Sequence, residues 1–121
     1  MTGNRVWLTG FALALALTSG CAGSVCDRAE AVAKSIADKG KACRGEGGVT
    51  EPREFDRAQC EAGVGDCSPE DLALVALVME CAEGAQACSA SEGPAWLTSL
   101  LSCARDYERI SPSCLHATLS Q

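Results

Sequence analysis

Aromatic residues are scarce in this sequence, which has two tryptophans, two phenylalanines and one tyrosine among its 121 residues. After residue 20 the aromatic residues are Phe55, Trp96 and Tyr107. A small domain with so few large side chains buries too little apolar surface to be comfortably stable without further support. We therefore expect covalent links to supplement the hydrophobic core.

Basic residues are also in the minority, since 10 Lys and Arg face 16 Asp and Glu, for a formal charge of −6. All 16 acidic residues follow residue 20 and Arg5 precedes it, so the chain from residue 21 onward carries −7. Phosphate backbones and anionic head groups do not attract such a surface. We expect no nucleic-acid partner, and contact with a membrane only through a covalent lipid.

The residue patterns of metal, redox and hydrolytic sites are missing. His116 is the single histidine, and the closest of the eight cysteines after Cys21 have six residues between them, too many for a zinc or haem pair or a Cys-x-x-Cys redox site. Ser111 and Ser113 lack a Gly-x-Ser-x-Gly context. The carboxylates lie at predicted helix caps or on polar faces. We expect no cofactor, no metal and no catalytic residue.

No apolar run reaches the ~20 residues that a membrane-spanning helix needs. The mostly apolar stretch from Val6 to Leu17 follows Arg5 and precedes small residues, which is typical of an export signal. We predict a signal peptide over residues 1–20 and one domain over residues 21–121. An uncleaved anchor or a buried helix is the alternative.

Leu17-Thr18-Ser19-Gly20-Cys21 resembles the lipobox of bacterial lipoproteins, in which small residues lead into a cysteine that is lipidated and becomes the amino terminus. The stricter motif has leucine three residues before the cysteine, whereas Leu17 lies four before Cys21. The resemblance implies lipidation of Cys21. Because Ala22 rather than Asp follows, it also implies the outer membrane. Ordinary cleavage nearby, for example after Ala16, would release a soluble protein instead.

The number of cysteines points in the same direction as this motif. The chain has nine, an odd number, and removing Cys21 leaves eight that can pair completely. Four disulfides at ~2–4 kcal/mol each would rival the ~5–15 kcal/mol that stabilises a whole domain. We therefore predict a disulfide scaffold made of Cys26, Cys43, Cys60, Cys67, Cys81, Cys88, Cys103 and Cys114.

The connectivity stays open, because eight cysteines can pair in on the order of a hundred ways. An up-down helix bundle suggests one hypothesis: Cys81–Cys88, Cys67–Cys103, Cys26–Cys60 and Cys43–Cys114.

The apolar run from Leu72 to Met79 predicts a central helix over residues 69–83. Ser68 is its N-cap, Pro69 suits the first helical position and Asp71 completes a capping box. A helix that is apolar on every side belongs in the middle of a domain, so we expect it to be the hub of the fold.

Three further helices are predicted over residues 24–42, 51–62 and 94–109. Ser24 and Thr50 are the expected caps of the first two, and the apolar stripe from Trp96 to Ala104 defines the third. Pro112 ends this pattern and can begin a final turn. No period-two alternation predicts a strand. The expected fold class is all-α, a small disulfide-rich bundle of about four helices.

The cysteine framework between Cys26 and Cys114 also resembles a known pattern. Its elements are Phe55-Asp56-x3-Cys60, Cys67-Ser68-x2-Asp71, Cys81-x6-Cys88, Cys103 and Ser111-x2-Cys114. This framework is similar to that of small cysteine-rich lipoproteins of myxobacteria, a family without assigned catalytic or binding residues. The resemblance implies a surface or periplasmic lipoprotein and transfers no site.

From these observations we expect an envelope lipoprotein that binds a protein partner or has a structural role, without catalysis. The alternative is a secreted soluble effector or inhibitor. An envelope enzyme or thiol redox protein is a distant third. A large exposed apolar patch would favour partner binding, whereas a pocket lined by convergent carboxylates or His116 would favour an enzyme.

Overall fold

The structure is a computed structural model that describes residues 20–119, with side chains described from residue 25 onward. Its α-helices are α1 Gly20–Lys39, α2 Arg57–Gly63, α3 Pro69–Glu83, α4 Gly93–Leu101 and α5 Pro112–Thr118. Short 3-10 turns lie at Lys41–Cys43, Val64–Asp66, Ser102–Ala104 and Tyr107–Arg109. Residues 20–119 contain no strand. The predicted all-α, disulfide-rich fold class is confirmed.

The predicted signal peptide, residues 1–20, lies outside the described residues except for the backbone of Gly20 at the start of α1. The backbone of Cys21 belongs to the first turn of α1, but its side chain lies outside the description. Lipidation of Cys21 therefore remains a prediction.

Helix α3 has the predicted bounds because its first turn is specified locally. The Ser68 Oγ accepts from the Asp71 N–H at 3.0 Å, and the Asp71 carboxylate accepts from the Ser68 N–H at 3.0 Å, which completes the capping box. Val75 and Met79 are buried, but Leu77 is 57% exposed. The expectation of a helix buried on every side is therefore wrong.

The predicted bounds of the second helix are also wrong. Asp56 rather than Thr50 is the N-cap of α2, and its Oδ1 accepts from the Gln59 N–H at 3.0 Å. Residues 49–56 are not helical. Pro52 disfavours the helical conformation of Glu51, the residue before it, so this segment crosses the surface before the helix begins.

The first and last predicted helices are shifted as well. Helix α1 begins at Gly20, upstream of the predicted Ser24 cap, and ends before Gly40. The stretch predicted as one helix over 94–109 is α4 followed by two 3-10 turns. The first of these turns contains Cys103, which is bonded to Cys81. The final turn expected after Pro112 is a full fifth helix.

The eight cysteines form four disulfides: Cys26–Cys60, Cys43–Cys88, Cys67–Cys114 and Cys81–Cys103. Of the four pairs in the hypothesis, Cys26–Cys60 is present and the other three are wrong. The hypothesis assumed four helices, but the fifth helix brings Cys114 back to Cys67. The segment before α4 likewise carries Cys88 to Cys43, where the Cys88 N–H donates to the Lys39 carbonyl at 2.7 Å.

The main core lies where α1, α3 and α5 meet, around Ala29, Val75, Met79, Ile110 and Cys114. A second cluster surrounds the Cys26–Cys60 disulfide, and a third surrounds Cys43–Cys88 beneath Trp96 and Leu97 of α4. Disulfide sulfur atoms thus fill core positions that larger apolar side chains would otherwise occupy.

Candidate binding cleft

An apolar cleft with a volume of about 410 Å³ opens between α1, α3, α4 and residues 52–55. Small-molecule sites in proteins typically measure ~300–1,000 Å³. The cleft is lined mainly by aliphatic side chains, which on the three helices are Ala29, Val32, Ala33, Ile36, Val78, Met79, Ala82, Leu97, Leu100 and Leu101.

Helix α4 forms one wall of the cleft without filling it. Its amino-terminal half is fixed by Trp96, whose Nε1–H donates to the Gln86 carbonyl at 2.8 Å and whose ring packs against Gly40. At the other end, Leu101 is 69% exposed although it lines the cleft. Of the predicted apolar stripe, Trp96 and Leu97 pack inward against a core cluster, whereas Leu101 remains exposed.

The wall opposite α4 combines small side chains with the non-helical segment 52–55. Ala29 and Ala33 of α1 leave space that larger residues would fill. Phe55 packs against both of the first two core clusters and so holds the segment in place. This wall could not be seen in the predicted fold, in which residues 51–62 form a helix. The Asp56–Gln59 cap and Pro52 are the signals that could have revealed it.

Two charged side chains, Arg53 and Glu54, line the cleft from this segment. Both are exposed, and within the described part of the chain neither forms an ion pair or a side-chain hydrogen bond. Beyond the segment lies a smaller depression of about 260 Å³ that is lined largely by charged residues. Its other charges are paired, Lys34 with Glu30 at 2.9 Å and Arg44 with Glu51 at 3.7 Å.

The cleft does not bring acid–base groups together. Glu54 is the one carboxylate among its lining residues, and His116 lies exposed on α5, outside the cleft. Tyr107 reaches the cleft, and burial raises the pKa of its hydroxyl, which keeps it neutral. Over the described side chains, no three His, Cys, Asp or Glu residues lie close enough together to hold a metal ion.

The most perturbed carboxylate lies elsewhere, at the junction of α3 and α5. Asp71 is 6% exposed and accepts from the Ser111 N–H at 2.9 Å and the Ser111 Oγ–H at 2.7 Å, besides its capping bond from Ser68. These hydrogen bonds, those from Ser111 first, lower its pKa to about 2. Because Ser68 is the N-cap of α3 and Ser111 is the N-cap of α5, Asp71 links the two helices. The sequence predicted the bond to Ser68 but not the link to Ser111.

Exposed ion pairs join the outer faces of the helices. Arg57 of α2 pairs with Asp27 and Glu30 of α1 and with Glu61 of its own helix, and these hydrogen-bonded carboxylates raise its pKa. Exposed pairs of this kind contribute little to stability. No helix among residues 20–119 is both long enough and apolar enough to cross a bilayer.

No known family model, curated protein or solved structure matches this chain. The basis for assigning a function is therefore the geometry of the cleft and the motif around Cys21.

Proposed function

We propose that this protein is a lipid-anchored, non-catalytic binding module of the cell envelope, and that the cleft is its binding surface. The observation that carries the proposal is the apolar lining of the cleft, in which a single carboxylate and a single arginine are the charged groups. Such a site has no acid–base pair or nucleophile to use in catalysis. It has a shaped apolar surface, which binds by excluding water.

The place of the cleft on α1 agrees with an anchor at Cys21. The cleft residues Val32 and Ile36 follow Cys21 by 11 and 15 positions on the same helix. At a rise of ~1.5 Å per residue, this corresponds to roughly 20 Å. A lipid on Cys21 would therefore hold the cleft close to the membrane surface, where apolar ligands are concentrated.

The anchor is tested by metabolic labelling with palmitate in wild type and a Cys21→Ala variant. We expect label in the wild type and none in the variant. Equal labelling of both proteins would show that Cys21 is not the acylated residue. An unlabelled wild type recovered from the medium would instead favour the secreted effector.

Binding is tested by isolating the protein from envelope and identifying what copurifies. Leu101→Asp places a charge at the exposed rim of the cleft, and Ala31→Asp places the same charge on an exposed α1 position outside it. We expect a molecule that accompanies wild type and Ala31→Asp but not Leu101→Asp. If the same molecules copurify with Leu101→Asp as with wild type, the cleft is not the binding surface.

A further inference from the structure

The size and lining of the cleft suit one linear hydrocarbon chain. A methylene group occupies about as much space as a water molecule, whose share of the liquid is ~30 Å³. A volume of about 410 Å³ therefore accommodates roughly a dozen methylenes. The helical walls that a chain would contact, from Val32 and Ile36 on α1 to Leu100 on α4, are mainly aliphatic.

The surface around the cleft offers little to a protein partner. A stable protein interface buries ~800 Å² on each side and has an apolar centre. Among the described residues, the large hydrophobic side chains that are exposed are Leu77 and Leu101. Two leucines do not make such a centre, so the apolar contact that this face offers lies inside the cleft. This favours a small ligand over a second protein.

The charges at the mouth specify the head group. Arg53 and Glu54 are one cation and one anion, both without a partner in the described part of the chain, while their neighbours Lys34 and Arg44 already have carboxylate partners. A simple anion would satisfy Arg53 but would be repelled by Glu54 and by a domain of formal charge −7. A head group with a phosphate and an ammonium satisfies both, since the arginine fork binds phosphate and the carboxylate binds ammonium.

We infer that the cleft binds a single-chain zwitterionic phospholipid, with its acyl chain between α1, α3 and α4, its phosphate at Arg53 and its ammonium at Glu54. This inference rests on the proposal that the cleft is the binding surface. It names the chemical class of the ligand.

The test is calorimetric titration of lauroyl-lysophosphatidylethanolamine, below its micellar concentration, into the full chain carrying Cys21→Ala, purified without detergent and with its disulfides intact. Each methylene that enters the cleft should tighten binding roughly fourfold. Affinity should therefore rise from the octanoyl through the decanoyl to the lauroyl lipid. An affinity that does not depend on chain length contradicts the inference.

The cleft itself is tested with a matched pair on α1. Ala33→Phe fills the cleft, and Ala31→Phe places the same ring on the exposed side of the helix. We expect Ala33→Phe to weaken binding at least tenfold and Ala31→Phe to leave it unchanged. Leu101→Asp, at an exposed position where folding is not at risk, should weaken binding as well. If both Ala33→Phe and Leu101→Asp bind like wild type, the lipid does not occupy the cleft.

The head group is tested with laurate, laurylamine and monolaurin, which carry a negative, a positive and no charge on comparable chains. We expect the zwitterionic lipid to bind most tightly. Arg53→Gln and Glu54→Gln should each reduce, several-fold, the ratio of its affinity to those of the other three ligands. Arg105→Gln is the control, because this side chain is 85% exposed and does not line the cleft. Laurate or laurylamine binding as tightly as the zwitterion overturns the assignment of the head group.

The failure of this inference and that of the proposed function give different results. If no lipid binds but a copurifying envelope protein is lost in Leu101→Asp, the cleft is a protein site and the lipid inference is wrong. If sedimentation shows a dimer that Ala33→Phe dissociates, the occupant is a second copy of the chain and the inference is again wrong. If neither lipid nor any other molecule depends on the cleft, both proposals are wrong.

Discussion

Helices α2 and α5 pack directly against each other and also carry disulfides, whereas α4 has few direct contacts with the other helices and depends mainly on the disulfides before and after it. We call the first region, residues 57–67 and 110–119, the packed half. There Gly63 lies directly against Ala117, and the Gln59 side chain donates to the His116 carbonyl at 3.0 Å. Its cysteines Cys60 and Cys114 are fully buried, as is Cys26 of α1, the disulfide partner of Cys60.

The second region, α4 with its flanking segments over residues 85–104, we call the cleft half. Cys43–Cys88 holds the chain before α4, and Cys81–Cys103 holds it after α4. Between these links, Trp96 and Leu97 pack inward while Leu101 stays exposed. The comparison shows how a small domain can keep an open site: disulfides fix the position of a helix, so side chains need not fill the space beneath it.

The largest expected effect comes from removing a disulfide from each half. Cys67→Ala with Cys114→Ala opens a loop with a sequence separation of 47 and leaves a space at a fully buried position. Cys81→Ala with Cys103→Ala opens a shorter loop, with a sequence separation of 22, and its two cysteines are exposed and half-buried. We expect losses of about 3–5 kcal/mol for the first pair and about 2–3 kcal/mol for the second, because the entropy of the unfolded chain grows with loop length.

Urea unfolding measures both losses, and hydrogen exchange shows whether each loss loosens α4 or α5. The second pair should increase exchange in α4 and leave α5 protected, since the packed half does not depend on Cys81–Cys103. A larger loss of stability from the second pair than from the first would contradict the division into two halves.

The next effect contrasts two apolar side chains that both line the cleft. Met79 is 1% exposed and belongs to the main core, whereas Leu101 is 69% exposed. Met79→Ala should cost about 2–5 kcal/mol because it leaves a cavity, and Leu101→Ala should stay within about 0.5 kcal/mol. Denaturant midpoints give both values. A Leu101→Ala loss as large as that of Met79→Ala would mean that α4 is packed rather than attached.

A smaller effect tests the close contact of α2 with α5. A Cβ at Gly63 would lie 2.7 Å from the Ala117 Cβ, which is fixed to the backbone and cannot swing away, whereas a Cβ at Gly65 meets nothing within 4 Å. Gly63→Ala should therefore cost about 1–3 kcal/mol through overpacking, less what alanine gains in a helix. Gly65→Ala, measured by the same thermal unfolding, should be neutral or slightly stabilising. Equal midpoints for the two variants would show that the helices can separate without loss.

The parts of this structure that could be predicted from sequence are the locally determined ones. The bounds of α3 follow from Ser68, Pro69 and Asp71, which lie within four residues of one another, and the absence of strand patterning indicates an all-α fold. Four helices were expected and residues 20–119 contain five, because Pro112 begins a helix whose place depends on the bond from its N-cap Ser111 to Asp71, 40 residues earlier.

Most of the cleft could not be predicted, since only the wall at residues 52–55 is specified by neighbours in sequence, through Pro52 and the Asp56 cap. Thr50 and Pro52 resemble the start of a helix, but the structure leaves residues 52–55 non-helical, with Phe55 half-buried against two clusters. The position of α4 depends on the partners of Cys88 and Cys103, which spacing alone does not reveal. The sequence therefore identifies the apolar residues that line the site, but it does not show that they lie next to one another in the fold.

The last prediction concerns Asp71, which joins the packed half to α3 through hydrogen bonds that require its charge. Its pKa is about 2 in the folded protein, below the ordinary value of 3.8, because Ser111 and Ser68 donate to the carboxylate. The unfolded chain therefore takes up the proton first, so this contribution to stability is complete above pH ~4 and disappears as the pH falls to ~2.

Asp71→Asn cannot ionise and accepts fewer of these hydrogen bonds, so we expect its thermal midpoint to lie below that of wild type at neutral pH. The difference should shrink as the pH falls from about 4 towards 2. Asp66→Asn, on the exposed turn just before α3, is the matched control and should follow wild type at every pH. Calorimetric scans across this range decide the matter. If the difference between Asp71→Asn and wild type is the same near pH 2 as at neutrality, then the charge of Asp71 does not stabilise the junction of α3 and α5, and shape alone holds the packed half together there.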